Sequence, residues 1–207
     1  MRRTKDEAMA TRDGILDAAA LLFQKQGVSR TTLQHIAAAA GVTRGAIYWH
    51  FKDKADLFNA MMDRATMPLE SALECTDNAG MADPVGDVRT WVLTAFRLTV
   101  TDPIARRAFE IATHKVEYVE ELTGVRDRYI ANYNQWLARS EKRLKLAIKR
   151  GTLRSGISAR VAALGLWAMA DGLIRLWLLD PAAFDLQRVG RQVLDAHLDA
   201  LRIQQAI

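Results

Sequence analysis

Residues 41–54 read GVTRGAIYWHFKDK, and the reading of this stretch decides what kind of protein the chain makes. Tyr48, Trp49, His50 and Phe51 follow one another where the flanking pattern predicts a short helix. At about 100° per residue, four consecutive rings point all round such a helix and cannot share one core. At least one must meet something other than protein interior. The residues ahead of the rings are Thr43, a capping type, then Arg44 and the small pair Gly45 and Ala46.

Working outward, LQHIAAAAGVTRGAI at 33–47 has the internal logic of a helix-turn-helix. Thr32 can cap the first short helix, Leu33–Ala40. Gly41 stands at the turn, where positive φ is required, and Thr43 caps the second helix over 44–51. The small Ala37 allows close approach, and Ile36, Val42 and Ile47 are expected to close a core with the preceding helix. That helix, Lys5–Gln26, carries Ile15, Ala18, Ala19, Leu22 and Phe23 at i, i+3, i+4, i+7 and i+8 and ends at Gly27. The second short helix is then a recognition element. Arg44 reaches a guanine edge or a phosphate, Gly45 and Ala46 let the helix sit deep in a major groove, and Tyr48 and His50 meet the groove wall. Trp49 faces sugar and thymine methyl or turns inward, while Phe51 returns to the core with Leu57 and Phe58. Lys54 supplies a point charge to a phosphate.

The remainder predicts helix almost throughout, giving an all-α chain of about nine helices. Two domains are expected: a helix-turn-helix domain over 1–53 and a helical ligand-binding and dimerisation domain over 54–207. Asp53 opens the linking helix, which runs to about residue 75, with Pro68 inside it. The pairs Asp83-Pro84, Asp102-Pro103 and Asp180-Pro181 each place a capping acid before a proline and are each expected to open a helix. Gly151 and Ser158 separate two more.

Net charge is +5, with 24 acids among 29 bases, so the placement of charge carries more weight than its sum. The single cysteine, Cys75, excludes an internal disulfide framework and is read as a small buried hydrophobe. The N-terminus lacks the apolar stretch of a secretory signal, no run of 18 or more apolar residues occurs, and no segment is expected to be long and apolar enough to span a membrane. A cytoplasmic protein without membrane association is expected. The four histidines, His35, His50, His114 and His197, are scattered and sit in no nucleophile or metal motif. Neither catalysis nor a cofactor is expected.

The block from Thr11 to Met61 resembles the DNA-binding domain of TetR-type transcriptional repressors. The resemblance is carried by Ile15-Leu16-Asp17-Ala18-Ala19, by Gly27 with Thr31-Thr32, and by Gly41-Val42, Gly45, Ile47-Tyr48, His50-Phe51, Lys54 and Leu57. It implies DNA contacts at Thr32, Thr43, Arg44, Tyr48, His50 and Lys54. Farther on, Arg106-Arg107, Glu110-Ile111, His114-Lys115 and Glu117 look similar to the branch that includes AcrR and TtgR, as does DGLIRLWLLDPAAFDL at 171–186. The opening RRTK matches that branch too, and Arg2 and Arg3 could reach phosphates or the minor groove. The branch represses multidrug efflux genes and releases DNA on binding hydrophobic antimicrobials.

The resemblance also implies a largely apolar cavity in the second domain. Candidate lining residues are Met67, Trp91, Phe96, Phe109, His114, Trp136, Trp167, Met169 and Asp171. Core packing is the competing reading for each, and pairing with Arg175 is the competing reading for Asp171. The last two helices, Ala159–Leu179 and one over 184–205, show wide apolar faces. Leu166, Leu173, Trp177, Leu194, His197 and Leu201 are candidates for a homodimer interface, against packing within one chain. Two recognition helices ~34 Å apart would read a palindromic double-stranded operator. The alternative is a DNA-binding regulator without a small-molecule inducer, its second domain serving dimerisation or a protein partner.

Overall fold

The computed structural model describes residues 5–78, 81–117, 122–154 and 156–202, with backbone alone over 72–78. Nine helices occupy the described residues: α1 (Lys5–Gln26), α2 (Leu33–Ala40), α3 (Arg44–His50), α4 (Lys54–Asn78), α5 (Pro84–Thr101), α6 (Pro103–His114), α7 (Thr123–Lys149), α8 (Ala159–Leu179) and α9 (Leu186–Leu201). Cys75 falls in the stretch without described side chains.

The chain forms two compact units. The first comprises residues 1–66 with 107–130, and the second 67–106 with 131–207. The grouping differs from a single cut after residue 53, because three N-terminal helices do not enclose a core unaided. Ile15, Leu16, Ala19 and Phe23 of α1 pack with Ile36 of α2, Ile47 of α3 and Phe51. Leu57, Phe58 and Met61 of α4, then Ala108 and Ile111 of α6 and Leu122 and Val125, complete the enclosure. Polar ties follow the same route. Arg64 on α4 donates to Asp17 on α1 at 2.6 Å, Gln24 donates to Glu110 at 2.7 Å, and the Val28 amide donates to the Lys115 carbonyl at 3.0 Å.

The second unit is built on α5, α8 and α9. Trp91 and Phe96 of α5, Leu166 of α8 and Leu194 of α9 are fully buried. Arg143 of α7 is buried as well. Its Nε donates to Asp87 at 3.1 Å and its guanidinium lies 4.1 Å from the Trp91 ring centre, so charge is met on one side and a π-face on the other. Arg89 and Asp195 join α5 to α9 through two hydrogen bonds of 2.6 and 2.9 Å. Chiefly through that hydrogen bonding, the guanidinium holds the Asp195 carboxyl below the usual carboxylate range.

Two of the three Asp-Pro pairs open helices. Asp83 accepts from the Gly86 amide at the head of α5, and Asp102 accepts from Ile104 and Ala105 at the head of α6. The third does not. Asp180 caps the C-terminus of α8 and accepts from the Ala182 amide in a turn; Asp185 caps α9 instead, accepting from Arg188. The last helix therefore begins at Leu186 rather than 184, because the turn uses the proline that a helix start would have used. It ends at Leu201, and residues 203–207 lie outside the described set.

α8 corrects a second expectation. By length and composition it is apolar enough to cross a membrane, and most of it is not buried in the protein. No continuous apolar run announces it, because Arg160, Asp171 and Arg175 interrupt the sequence.

Two expected outcomes test this packing. A Cβ at Gly190 would lie 2.7 Å from two carbons of the Phe96 ring, so Gly190→Ala should destabilise the protein by about 1–3 kcal/mol in urea unfolding. For Asp195→Asn, the loss of stability relative to the parent should be full at pH 7 and shrink progressively as pH falls from ~4 through the depressed pKa of the folded state. A carboxyl depressed in the folded state contributes fully above its unfolded pKa and loses that contribution progressively as pH falls through its lower folded-state pKa. Urea midpoints at pH 7 and pH 3 decide it; an undiminished difference at pH 3 contradicts the pairing.

Candidate nucleic-acid interface

α2 and α3 are short, and each is fixed at its N-terminus by a side chain. The Thr32 hydroxyl accepts from the His35 amide at 3.2 Å while His35 Nδ1 accepts from the Thr32 amide at 3.4 Å, a reciprocal box with histidine in the usual glutamate position. Gly41 adopts φ 66° between them, and its amide returns to the carbonyls of Ala37 and Ala38. Thr43 accepts from Ala46 at 3.2 Å. Phe51 leaves the helical conformation, is buried, and anchors the far end of α3. At the head of α4, Asp53 accepts from the Asp56 amide and Asp56 from the Lys52 amide, so both carboxylates are engaged by backbone donors.

This scaffold divides the aromatic run. Phe51 is core, and His50 is half-buried with its ring 4.5 Å edge-on from Trp49. Trp49 is 72% exposed and Tyr48 48% exposed. Arg44 lies along the same outer face. Its Nη2 donates to the Tyr48 hydroxyl at 3.1 Å and its guanidinium sits 5.4 Å from that ring centre. Thr32, Thr43 and Gly45 are exposed beside it. The predicted residues Thr32, Thr43, Arg44, Gly45, Tyr48 and Trp49 are thus all exposed on the first unit, and His50 is half-buried. Arg2 and Arg3 lie outside the described residues.

Lys54 is different. It is only 8% exposed, and its Nζ donates to the Ser29 carbonyl at 3.3 Å, tying the head of α4 to the loop before α2. Three cations were passed over in the sequence. Arg30 and Lys52 are exposed near this surface, and Arg12 stands 5.2 Å from the Phe51 ring centre. Arg30 and Lys52 flank the short helices in the sequence, which is the signal that could have found them. Arg12 lies 39 residues before Phe51 and gives none.

The residues read as pocket candidates do not form one group. Trp136 and Trp167 meet with ring centres 5.2 Å apart, and Tyr133, absent from the candidates, stands 5.3 Å from Trp167. Its position three residues before Trp136 on α7 was the available sign. Trp91 and Phe96 are wholly buried in packing, Met67 is exposed, and Met169 is half-buried. Asp171 accepts from Arg175 Nε at 2.6 Å, the competing reading for that acid. Phe109 and His114 belong to the first unit and the others to the second.

The residues read as interface candidates also move. Leu166, Leu194, Leu201 and Trp177 are buried inside the protomer, Trp177 beneath Arg106 at 4.7 Å. Leu173 and His197 are half-buried. The apolar side chains left exposed on these helices are Val161, Leu164, Leu176 and Leu179 of α8 and Val193 of α9. Both the inward and the outward ridge of these helices are apolar, so the sequence pattern alone does not tell one from the other.

Comparison with known proteins accords with this geometry. The model for bacterial regulatory proteins of the tetR family matches residues 15–61, and that for the C-terminal region of MAATS-type transcriptional repressors matches 83–203. The HTH-type transcriptional regulator TtgR of Pseudomonas putida is 39% identical over 207 residues, covering 100% of this chain and 99% of its own length. The crystal structure of NalD, the secondary repressor of the MexAB-OprM multidrug efflux pump in Pseudomonas aeruginosa, superposes with a TM-score of 0.88 at 34% identity, over 97% of this chain and 100% of its own. A SmeT–triclosan complex superposes at 0.80 with 36% identity, over 94% and 93% of the two chains; SmeT is the repressor of the Stenotrophomonas maltophilia pump SmeDEF. A helix-turn-helix presenting an arginine and two aromatic rings, followed by helices that match the repressor C-terminal region, places the chain in the tetR family of bacterial regulatory proteins.

Proposed function

We propose that this chain is a ligand-responsive repressor of a multidrug efflux operon, acting on DNA in the cytoplasm rather than as an enzyme. The observation that carries the reading is the outer face of α3, where Arg44, Tyr48 and Trp49 stand exposed on a helix seated by Thr43 and Phe51. Arg44 reads a base edge in the major groove, while Tyr48, His50 and Thr43 meet phosphate and sugar. Lys54 acts first by holding the head of α4 to the Ser29 carbonyl, and through that it sets where α3 meets the duplex.

A homodimer supplies two such faces to a palindrome. The exposed stripe of Val161, Leu164, Leu176 and Leu179 with Val193 supports α8 and α9 as the surface that pairs with its copy. Leu176→Glu should leave helix content intact and shift the sedimenting species toward monomer; an unaltered dimer would move the interface elsewhere.

The inducer is a hydrophobic compound bound in the helical second unit, with the aromatic group of Tyr133, Trp136 and Trp167 the best-supported lining. Relatives that repress efflux pumps, and the SmeT–triclosan complex, support this class of ligand. DNA and inducer favour different states, so each weakens the other by ~1–3 kcal/mol.

Fluorescence anisotropy on DNA from upstream of the gene tests both halves. If the dimer neutralises ~8 phosphates, affinity should fall with salt at a log–log slope near −7. Release by some hydrophobic antimicrobial is expected; tight binding that none releases would support a regulator without a small-molecule inducer. Arg44→Ala should narrow the ratio of operator to random-DNA affinity by about tenfold or more, whereas Lys54→Ala should weaken both alike. Equal losses in both variants would contradict the assigned roles.

A further inference from the structure

We infer that the groove between α5 and α9 is a second ligand site, distinct from the apolar pocket proposed above, and that it takes a small organic anion with a carboxylate head. The two helices run antiparallel, since Arg89 meets Asp195 while Phe96 meets Gly190. One ridge of each lines the groove: Thr90, Leu93, Thr94 and Arg97 from α5, and Gln187 and Arg191 from α9, with the edge of Phe96 between them. All lie in the second unit.

The chemistry of the lining is one-sided. Arg97 forms no ion pair with any described residue, and Arg191, four residues before Asp195 on α9, lies within the field of that carboxylate, which Arg89 engages by direct hydrogen bonds. Other helical threonines (Thr11, Thr66, Thr99, Thr101 and Thr113) return their hydroxyls to the carbonyl four residues back. Thr90 and Thr94 make no such bond among the described contacts, and both residues line the groove. Two arginines, two threonines and a glutamine therefore line the groove, with the Asp195 carboxylate one turn of α9 from Arg191. Paired guanidinium donors match a carboxylate in geometry as well as charge.

Leu93 and Phe96 add an apolar wall, which a bare inorganic ion would leave unused. The volume, 180 Å³, is below the roughly 300–1,000 Å³ of drug-sized pockets, so the occupant is small. A compact aromatic or short-chain carboxylate satisfies all three features: charge, donors and wall.

Benzoate is the probe, titrated calorimetrically into the full-length protein at fixed ionic strength, with benzyl alcohol and inorganic phosphate run alongside. Benzoate should bind saturably, both comparison compounds much more weakly. The Arg97→Ala/Arg191→Ala variant, altered only at exposed side chains, should lose at least about tenfold in benzoate affinity with helix content unchanged. Arg97→Lys/Arg191→Lys should recover part of that loss. Undiminished benzoate binding in the alanine variant would overturn the site, as would benzyl alcohol or phosphate binding as tightly as benzoate. Operator release is not the readout, so this outcome is independent of whether hydrophobic compounds induce.

Discussion

Helices of eight and seven residues do not persist alone in water, where isolated helices shorter than about 12–15 residues are marginal. Everything that α3 presents depends on overcoming that limit. The fold does so from both ends. Thr32 with His35, Gly41 and Thr43 satisfy orphan backbone groups, and Ile36, Ile47 and Phe51 sink one side of each helix into a core shared with α1, α4 and α6. The same commitment of one side frees the other. Arg44 and Tyr48 need serve no packing role, and their mutual contact pre-orders both side chains before any partner arrives, which lowers the entropy lost on binding.

The second unit is stabilised by a different kind of constraint, charge placed where it must be answered. Arg143 is buried against Asp87 and Trp91, and Arg89 is locked to Asp195. Such pairs contribute little net energy but penalise every arrangement that separates them, so they act on specificity of packing more than on its strength. Gly190 has a similar effect by size, since only a residue without a side chain lets α9 approach the Phe96 ring.

Much of this was legible in the sequence because local signals and tertiary outcome agree. Capping residues at Thr32, Thr43, Asp53 and Asp83 and the turn at Gly41 mark helix ends directly, and the i, i+3, i+4 stripe from Ile15 to Phe23 marks the inward side of α1. Where the reading failed, the signal was ambiguous in a physical sense. Asp180-Pro181 has the same letters as Asp83-Pro84, yet one closes a helix and the other opens one, depending on what precedes it. α8 is apolar on several sides, so periodicity could not say whether Leu166 or Leu164 faces inward. Arg12 over Phe51 and Lys54 on Ser29 are contacts made by the fold, between residues whose spacing carries no warning.

The distribution of tryptophan has an optical consequence. Trp49 stands exposed in the first unit, while Trp91, Trp136, Trp167 and Trp177 all belong to the second, where they are buried or half-buried. The protein therefore carries two intrinsic chromophore populations divided by function. An aqueous quencher such as iodide reaches the exposed indole on α3 in preference to the others, while emission from the four more buried indoles is governed by the helical unit around them. Occupancy of the two regions can be followed separately in the unlabelled protein.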